Sequence, residues 1–388
     1  MPTSRARISL IESIKILPSM KLPLSLLICI TAVFFAYNPS IKDSLVTLID
    51  KKFPILQLLA KTEAIVPQTT TLNLEQPAPI VLPVTDMAVP RAIRQVFLAI
   101  EQAEGAGARV RRSIGTAKLR NFSPFLMLDH FTIGKGAGFP DHPHRGQETI
   151  TYLLSGGVDH EDFAGNKGTI GPGDLQFMTA GRGIMHAEMP HENEDGSPNV
   201  GMQLWVDLPQ KLKMCEPRYR DLRASEIPIA KPDDDRVTVK VISGQSHGVD
   251  SVRDLAYTPV WILDISIKPG GKISQPLPQG WNAFAYTLAG ETVFGSSDST
   301  RVVKEFHNVQ FDQAGDFVEL SVPDNADSES RIFLVAGQPL DQKVVQYGPF
   351  VLNTQEEVYQ AMLDYQTASN GFERTRGWQS EIGKRMAF

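Results

Sequence analysis

Beyond residue 90 the chain is a succession of short segments rich in Val, Ile, Thr and Phe, broken every ten or so residues by Gly, Pro, Asp or Asn. "ETITYLL", "DLQFMTA", "VGMQLWVDL", "RVTVKVIS", "VWILDISI", "AFAYTLAG" and "RIFLVAG" are the plainest of them. Strand-sized runs at that spacing pair with one another through tight turns, so the sequence predicts an all-β chain of antiparallel sandwich or barrel architecture. Helix is scarce until the end. There "NTQEEVYQAMLDYQTASNG" offers Asn353 as N-cap with Glu356 three residues on, sets Val358, Ala361, Met362 and Tyr365 on one face, and stops at Asn370-Gly371. That helix is expected to pack on the outside of a sheet.

The strands repeat. "GAGFPDHPHRGQETITYLLSG", residues 136–156, aligns without a gap on "GGKISQPLPQGWNAFAYTLAG", residues 270–290. Gly136, Gly146, Tyr152, Leu154 and Gly156 coincide with Gly270, Gly280, Tyr286, Leu288 and Gly290, which suggests two copies of one β-domain. A chain of 388 residues is long for one core and suits two. We therefore expect an N-terminal domain over 91–215 and a C-terminal one over 216–388.

The first copy carries chemistry that the second lacks. His142 and His144 are one residue apart in a run of β character, so both imidazoles share a face. Their counterparts are Pro276 and Pro278, so any metal belongs to the first copy. In "GRGIMHAEMP" the pair His186 and Glu188 shows the same parity. Two such pairs on neighbouring strands offer three imidazoles and a carboxylate to one interior point. That donor set suits iron, manganese, nickel or copper and leaves coordination positions open.

Other functions are narrowed by composition. A net charge of -6 gives no footprint for direct nucleic-acid binding. The two cysteines, Cys29 and Cys215, exclude a disulfide framework and a cysteine-based zinc site. The N-terminus differs from the rest: the segment 22–41, "LPLSLLICITAVFFAYNPSI", has no charged residue and follows Arg5, Arg7, Lys15 and Lys21. It reads as a membrane anchor with its basic end in the cytoplasm, although its apolar core is short of the about 20 residues a bilayer needs. A cleaved signal peptide or an organelle presequence reads similarly, and the acid-poor composition leans toward the presequence. Residues 1–60 are thus an extension and 61–90, rich in Pro and Thr, a linker. Met87 opens the globular part, and a product starting there would lose the extension.

Three stretches carry a resemblance: "GFPDHPHRGQETITYLLSGG", "HEDFAGNKGTIGPGDLQFMTAGRGIMHAEMP" and the tail "QYGPFVLNTQEEVYQAMLDYQTASNGFERTRGWQSEIG". From about Pro90 to near the C-terminus the chain resembles the pirin family of the cupin superfamily. The resemblance implies a bicupin, two jelly-roll barrels face to face, with one iron in the N-terminal barrel held by His142, His144, His186 and Glu188. It also implies kinship with quercetin 2,3-dioxygenases, which cleave flavonols with O2, and there Glu188 would be both ligand and catalytic base. The alternative it implies is an iron redox-sensing transcriptional co-regulator that binds a transcription factor. A monomer is expected. Pirins are usually proteins of cytoplasm and nucleus, so the extension, if present, would redirect this chain to a membrane or an organelle.

The remaining candidates read as structural. Glu148 shares parity with His142 and His144 but is expected behind the ligands, and His130 in the core. His160 and His191, beside acidic residues, are expected in solvated loops. Cys215 reads as a small apolar residue, and Phe177, Met178 and Met185 as core.

Overall fold

The computed structural model describes residues 88–252, 255–295 and 299–385. The extension with its apolar segment 22–41, and the linker up to residue 87, lie outside the described residues. No helix among those described is long and apolar enough to cross a membrane.

All seven runs quoted above are strands, and they form the centres of two seven-stranded antiparallel sheets. The first sheet runs, edge to edge, Arg218–Leu222, Leu175–Thr179, Gln147–Ser155, Asn199–Asp207, Phe125–Ile133, Ala108–Ile114 and Glu101–Glu104. The second runs Ile93–Leu98, His307–Phe311, Asn282–Ala289, Ser330–Gly337, Val260–Ile267, Val237–Ser243 and Ile229–Asp233. Each is completed by a four-stranded sheet: Phe139–His144, Ile184–Pro190, Val158–Asp162 and Lys167–Ile170 in the first lobe, and Lys272–Pro276, Phe317–Ser321, Thr292–Phe294 and Arg301–Val303 in the second. The lobes are open cupin sandwiches rather than closed barrels.

The two large sheets meet face to face. Alternation sends Ile150, Tyr152, Leu204 and Val206 of the first sheet and Ile262, Phe284, Tyr286 and Val335 of the second into one shared apolar layer. Fully burying such a side chain is worth about 1.5–3 kcal/mol, so this layer holds the lobes as one body. The repeat is visible at its polar edges. The Tyr152 hydroxyl donates to Asp264 across the layer at 2.7 Å, and the equivalent Tyr286 hydroxyl lies 3.4 Å from Nδ1 of His130. The three paired glycines also match, with φ of +75° and +78° at 136 and 270, +78° and +73° at 146 and 280, and +82° and +68° at 156 and 290.

Sequence spacing does not reveal that each lobe lends the other a strand. Ile93–Leu98 pairs with His307–Phe311 in the second lobe, while Arg218–Leu222 pairs with Leu175–Thr179 in the first. Chain order and sheet membership therefore cross near both ends of the expected domains.

The C-terminal helix spans Gln355–Thr367 and packs on the first lobe, where Ala361 joins Phe163, Met178, Ile184, Phe350 and Phe372. Its N-cap is Thr354 and not Asn353. Thr354 Oγ1 accepts from Glu357 N–H at 3.1 Å, while the Glu357 carboxylate accepts from Thr354 N–H at 2.9 Å. Asn353 is drawn away because its side chain donates to the Lys343 carbonyl, which moves the capping box one residue along. The helix also ends before the expected Asn370-Gly371 stop, since Ala368 already turns left-handed at φ +50°.

Candidate metal centre

The strand Phe139–His144 is an edge strand. It lies antiparallel to Ile184–Pro190, with His142 opposite His186 and His144 opposite Ile184. Residues opposite each other, and residues two apart, share a face, so the three imidazoles converge. Ring centroids are 4.3 Å apart for His142 and His186, 4.9 Å for His142 and His144, and 5.0 Å for His144 and His186. One ring nitrogen from each falls within 4.8 Å of the others.

The residues fit a bound metal. Nε2 of His144 and both nitrogens of His186 are buried without a hydrogen-bond partner. Leaving such atoms unsatisfied costs about 1–3 kcal/mol each, and coordination removes that cost for one nitrogen of each ring. His142 Nδ1 lies 2.8 Å from the Pro140 carbonyl, and donating there leaves its Nε2 as a bare lone pair. The Gln147 side-chain amide lies 2.8 Å from His144 Nδ1. Burial, and after it the nearby His142, hold His144 and His186 well below the usual histidine pKa. Both are therefore neutral, the form that binds metal.

Glu188 is placed differently from the histidines. It lines the same cavity, but its carboxylate stands outside the three-imidazole group. Oε1 accepts from the Thr151 hydroxyl at 2.8 Å and Oε2 from the Gln203 amide at 3.1 Å. The ladder shifts between His186 and Glu188, where the His142 strand carries one extra residue, so Glu188 lies opposite Phe139 and beyond the paired histidines. Thr151, Gln203 and Trp205, whose ring stands edge-on to His144 at 5.1 Å, complete the inner wall. The sequence signal for them is slight: polar residues at alternate positions of two otherwise apolar runs.

The cavity holds about 550 Å³. Leu126, Phe131 and Ile133 give it apolar walls, and Arg112, bonded to Asp129 and Glu104, a charged one. Gln346, Gly348 and Pro349 reach in from the C-terminal segment.

Residues 107–206 match the family described as Pirin, and residues 262–371 the Pirin C-terminal cupin domain. Over 298 residues the chain is 50% identical to human Pirin, an alignment covering 76% of this chain and 100% of the human one. The chain belongs to the pirin family. A pirin-like protein of Solanum lycopersicum is 49% identical over 75% of this chain and 97% of its own length. Among solved structures, a quercetin 2,3-dioxygenase from Acinetobacter baumannii superposes with a TM-score of 0.65 at 28% identity, covering 72% of this chain and 98% of that one. GK1651 from Geobacillus kaustophilus gives 0.58 at 34%, covering 66% and 100%.

Around the centre of this pirin-family chain the other histidines and acids sort by strand geometry. Glu148 faces away from the three histidines because Gly146, at φ +78°, breaks the strand and with it the parity counted from His144. His130 is a core residue between Tyr286 and Phe306, and burial lowers its pKa to about 4. His160 corrects the expectation of a solvated loop: it is 2% exposed in the strand Val158–Asp162, against Tyr219 and Asp221. Alternation turns Asp159 and Glu161 outward and His160 inward, where Asp162, the third acid beside it, is buried too and bonds the turn at Ala164 and Asn166. His191 is exposed and pairs with Asp159 at 2.6 Å. Burial raises the Cys215 thiol to about 11, which keeps it protonated and unreactive. Phe177 and Met178 are core, in two different clusters, and Met185 packs against that of Met178.

Proposed function

We propose that this chain is an iron-dependent dioxygenase of the quercetin 2,3-dioxygenase type, acting on flavonol-like molecules with O2 at one iron held by His142, His144, His186 and Glu188. The observation that carries the reading is the convergence of three imidazoles, with ring nitrogens of His144 and His186 left unpartnered, beside a cavity that His142, His144 and the hydrogen-bonded Glu188 carboxylate line. The likeness to the Acinetobacter baumannii quercetin 2,3-dioxygenase supports it.

When bound, the metal would supply Lewis acidity and redox capacity at positions the imidazoles leave open. The chain's own residues do the rest. Apolar walls at Leu126, Phe131 and Ile133 receive flat aromatic rings and exclude water. The Glu188 carboxylate accepts the proton of the substrate 3-hydroxyl, and Thr151 and Gln203 hold it facing the cavity. Overall, one flavonol and one O2 become one ring-opened ester and one carbon monoxide.

Elemental analysis should find about one metal per chain, because the second lobe offers Pro276 and Pro278 where the first has His142 and His144, and fills its interior with Trp261, Trp281 and Phe294. Loaded protein should consume O2 and flavonol together and release carbon monoxide, whereas a 3-O-methylated flavonol should be inert. Glu188→Gln keeps the size of the side chain and an oxygen donor but loses the base, and should lower turnover by about 10²–10⁴. Loaded protein that takes up no O2 across a flavonol panel, yet binds a transcription factor differently as Fe(II) and Fe(III), would replace this reading with the co-regulator one.

A further inference from the structure

The strand that bears His142 and His144 has a neighbouring strand on one side only, and the C-terminal segment covers its ends. Before His142, Asp141 accepts from the Ser380 amide at 3.2 Å and from the Ser380 hydroxyl. After His144, the Arg145 side chain is 1% exposed and spends its guanidinium on three acceptors. Nη1 donates to Asp364 of the C-terminal helix at 2.7 Å, Nη2 to the Asn370 carbonyl at 2.6 Å and Nε to the Arg182 carbonyl at 2.5 Å. The guanidinium also stacks 4.8 Å over Phe372.

The main chain repeats the pattern. Arg145 N–H donates to the Pro349 carbonyl at 3.2 Å, and Val351 N–H to the Arg145 carbonyl at 3.0 Å. Lys213 Nζ, buried, joins the Gly146 and Val351 carbonyls at 2.8 and 2.9 Å. At Gly146 a Cβ would come within 2.0 Å of the Val351 oxygen, so the turn that ends the strand is moulded to this segment.

An edge strand held on one side flexes, and a metal site loses affinity when its ligands are not held in place. We propose that the C-terminal segment, residues 345–380, is a working part of the metal centre, with Arg145 and Asp141 as positioning residues that aim His144 and His142 from either end. The proposal rests on the metal reading above and adds to it that affinity is set by contacts made some 220 residues further along the chain, as between Arg145 and Asp364 (separation 219).

The test uses the full chain and Co(II), whose visible absorption reports ligand geometry, in wild type, Ser380→Ala, Asp364→Asn and Arg145→Lys. We expect variants with wild-type far-ultraviolet circular dichroism to bind Co(II) about tenfold more weakly or worse, with an altered visible spectrum. Folded variants with wild-type affinity and spectrum overturn the proposal. Should the Arg145 and Asp364 variants fail to fold, hydrogen exchange in wild type decides. Amides of residues 345–372 should be slowed by Co(II), and rates unchanged by loading overturn it. A wild type that binds neither Co(II) nor Fe(II) overturns the metal reading and this one with it, whereas a wild type that binds beside unaffected variants overturns this one alone.

Discussion

Glu148 is buried among donors: the Thr179 hydroxyl at 2.8 Å and the backbone amides of Tyr257 and Thr258 at 3.1 and 3.2 Å. Burial outweighs those bonds and raises its pKa to about 7. The folded state then holds this proton more tightly than the unfolded chain, where the pKa is about 4.3. The resulting stability is fully present below that value and is lost as pH rises to 7, by about 3 kcal/mol at most. Denaturant titrations from pH 4 to 8 should therefore show Glu148→Gln gaining on wild type as pH rises, and a constant gap would mean the carboxyl titrates alike in the folded and unfolded chains. At this scale the sequence is read best where residue type and spacing state the chemistry together, as at His142, His144 and His186. It is read worst where a single glycine or the sense of a strand decides direction. Gly146 turns Glu148 away, and His160 is inward although its neighbours are acids. Thr151 and Gln203 act only through what folding places beside them.

Among the elements, strands were legible because alternation and turn residues are local properties. Their partners were not, because nothing in the spacing of Ile93–Leu98 or Arg218–Leu222 says which sheet will take it. The helix was legible in kind and misplaced by one residue at its start, since Asn353 and Thr354 are both good caps and a tertiary contact to Lys343 chooses between them. This choice is measurable. Thr354→Ala removes a cap with a reciprocal partner and should lower stability by about 1 kcal/mol in denaturant unfolding, with no comparable loss for Glu356→Ala beyond that of an exposed helix position. A loss at Glu356 with none at Thr354 would return the capping box to Asn353 and Glu356.

For the molecule as a whole, the shared apolar layer and the two exchanged strands tie the lobes into one cooperative system. Calorimetry should give a single unfolding transition, and two separated transitions would show that the layer between the large sheets is weaker than its side chains imply. The exchange also sets an order of events during synthesis. Ile93–Leu98 leaves the ribosome early, yet its partner His307–Phe311 is made some two hundred residues later. Until then the early strand can satisfy its backbone only with water or a chaperone, and the sheet it belongs to cannot close.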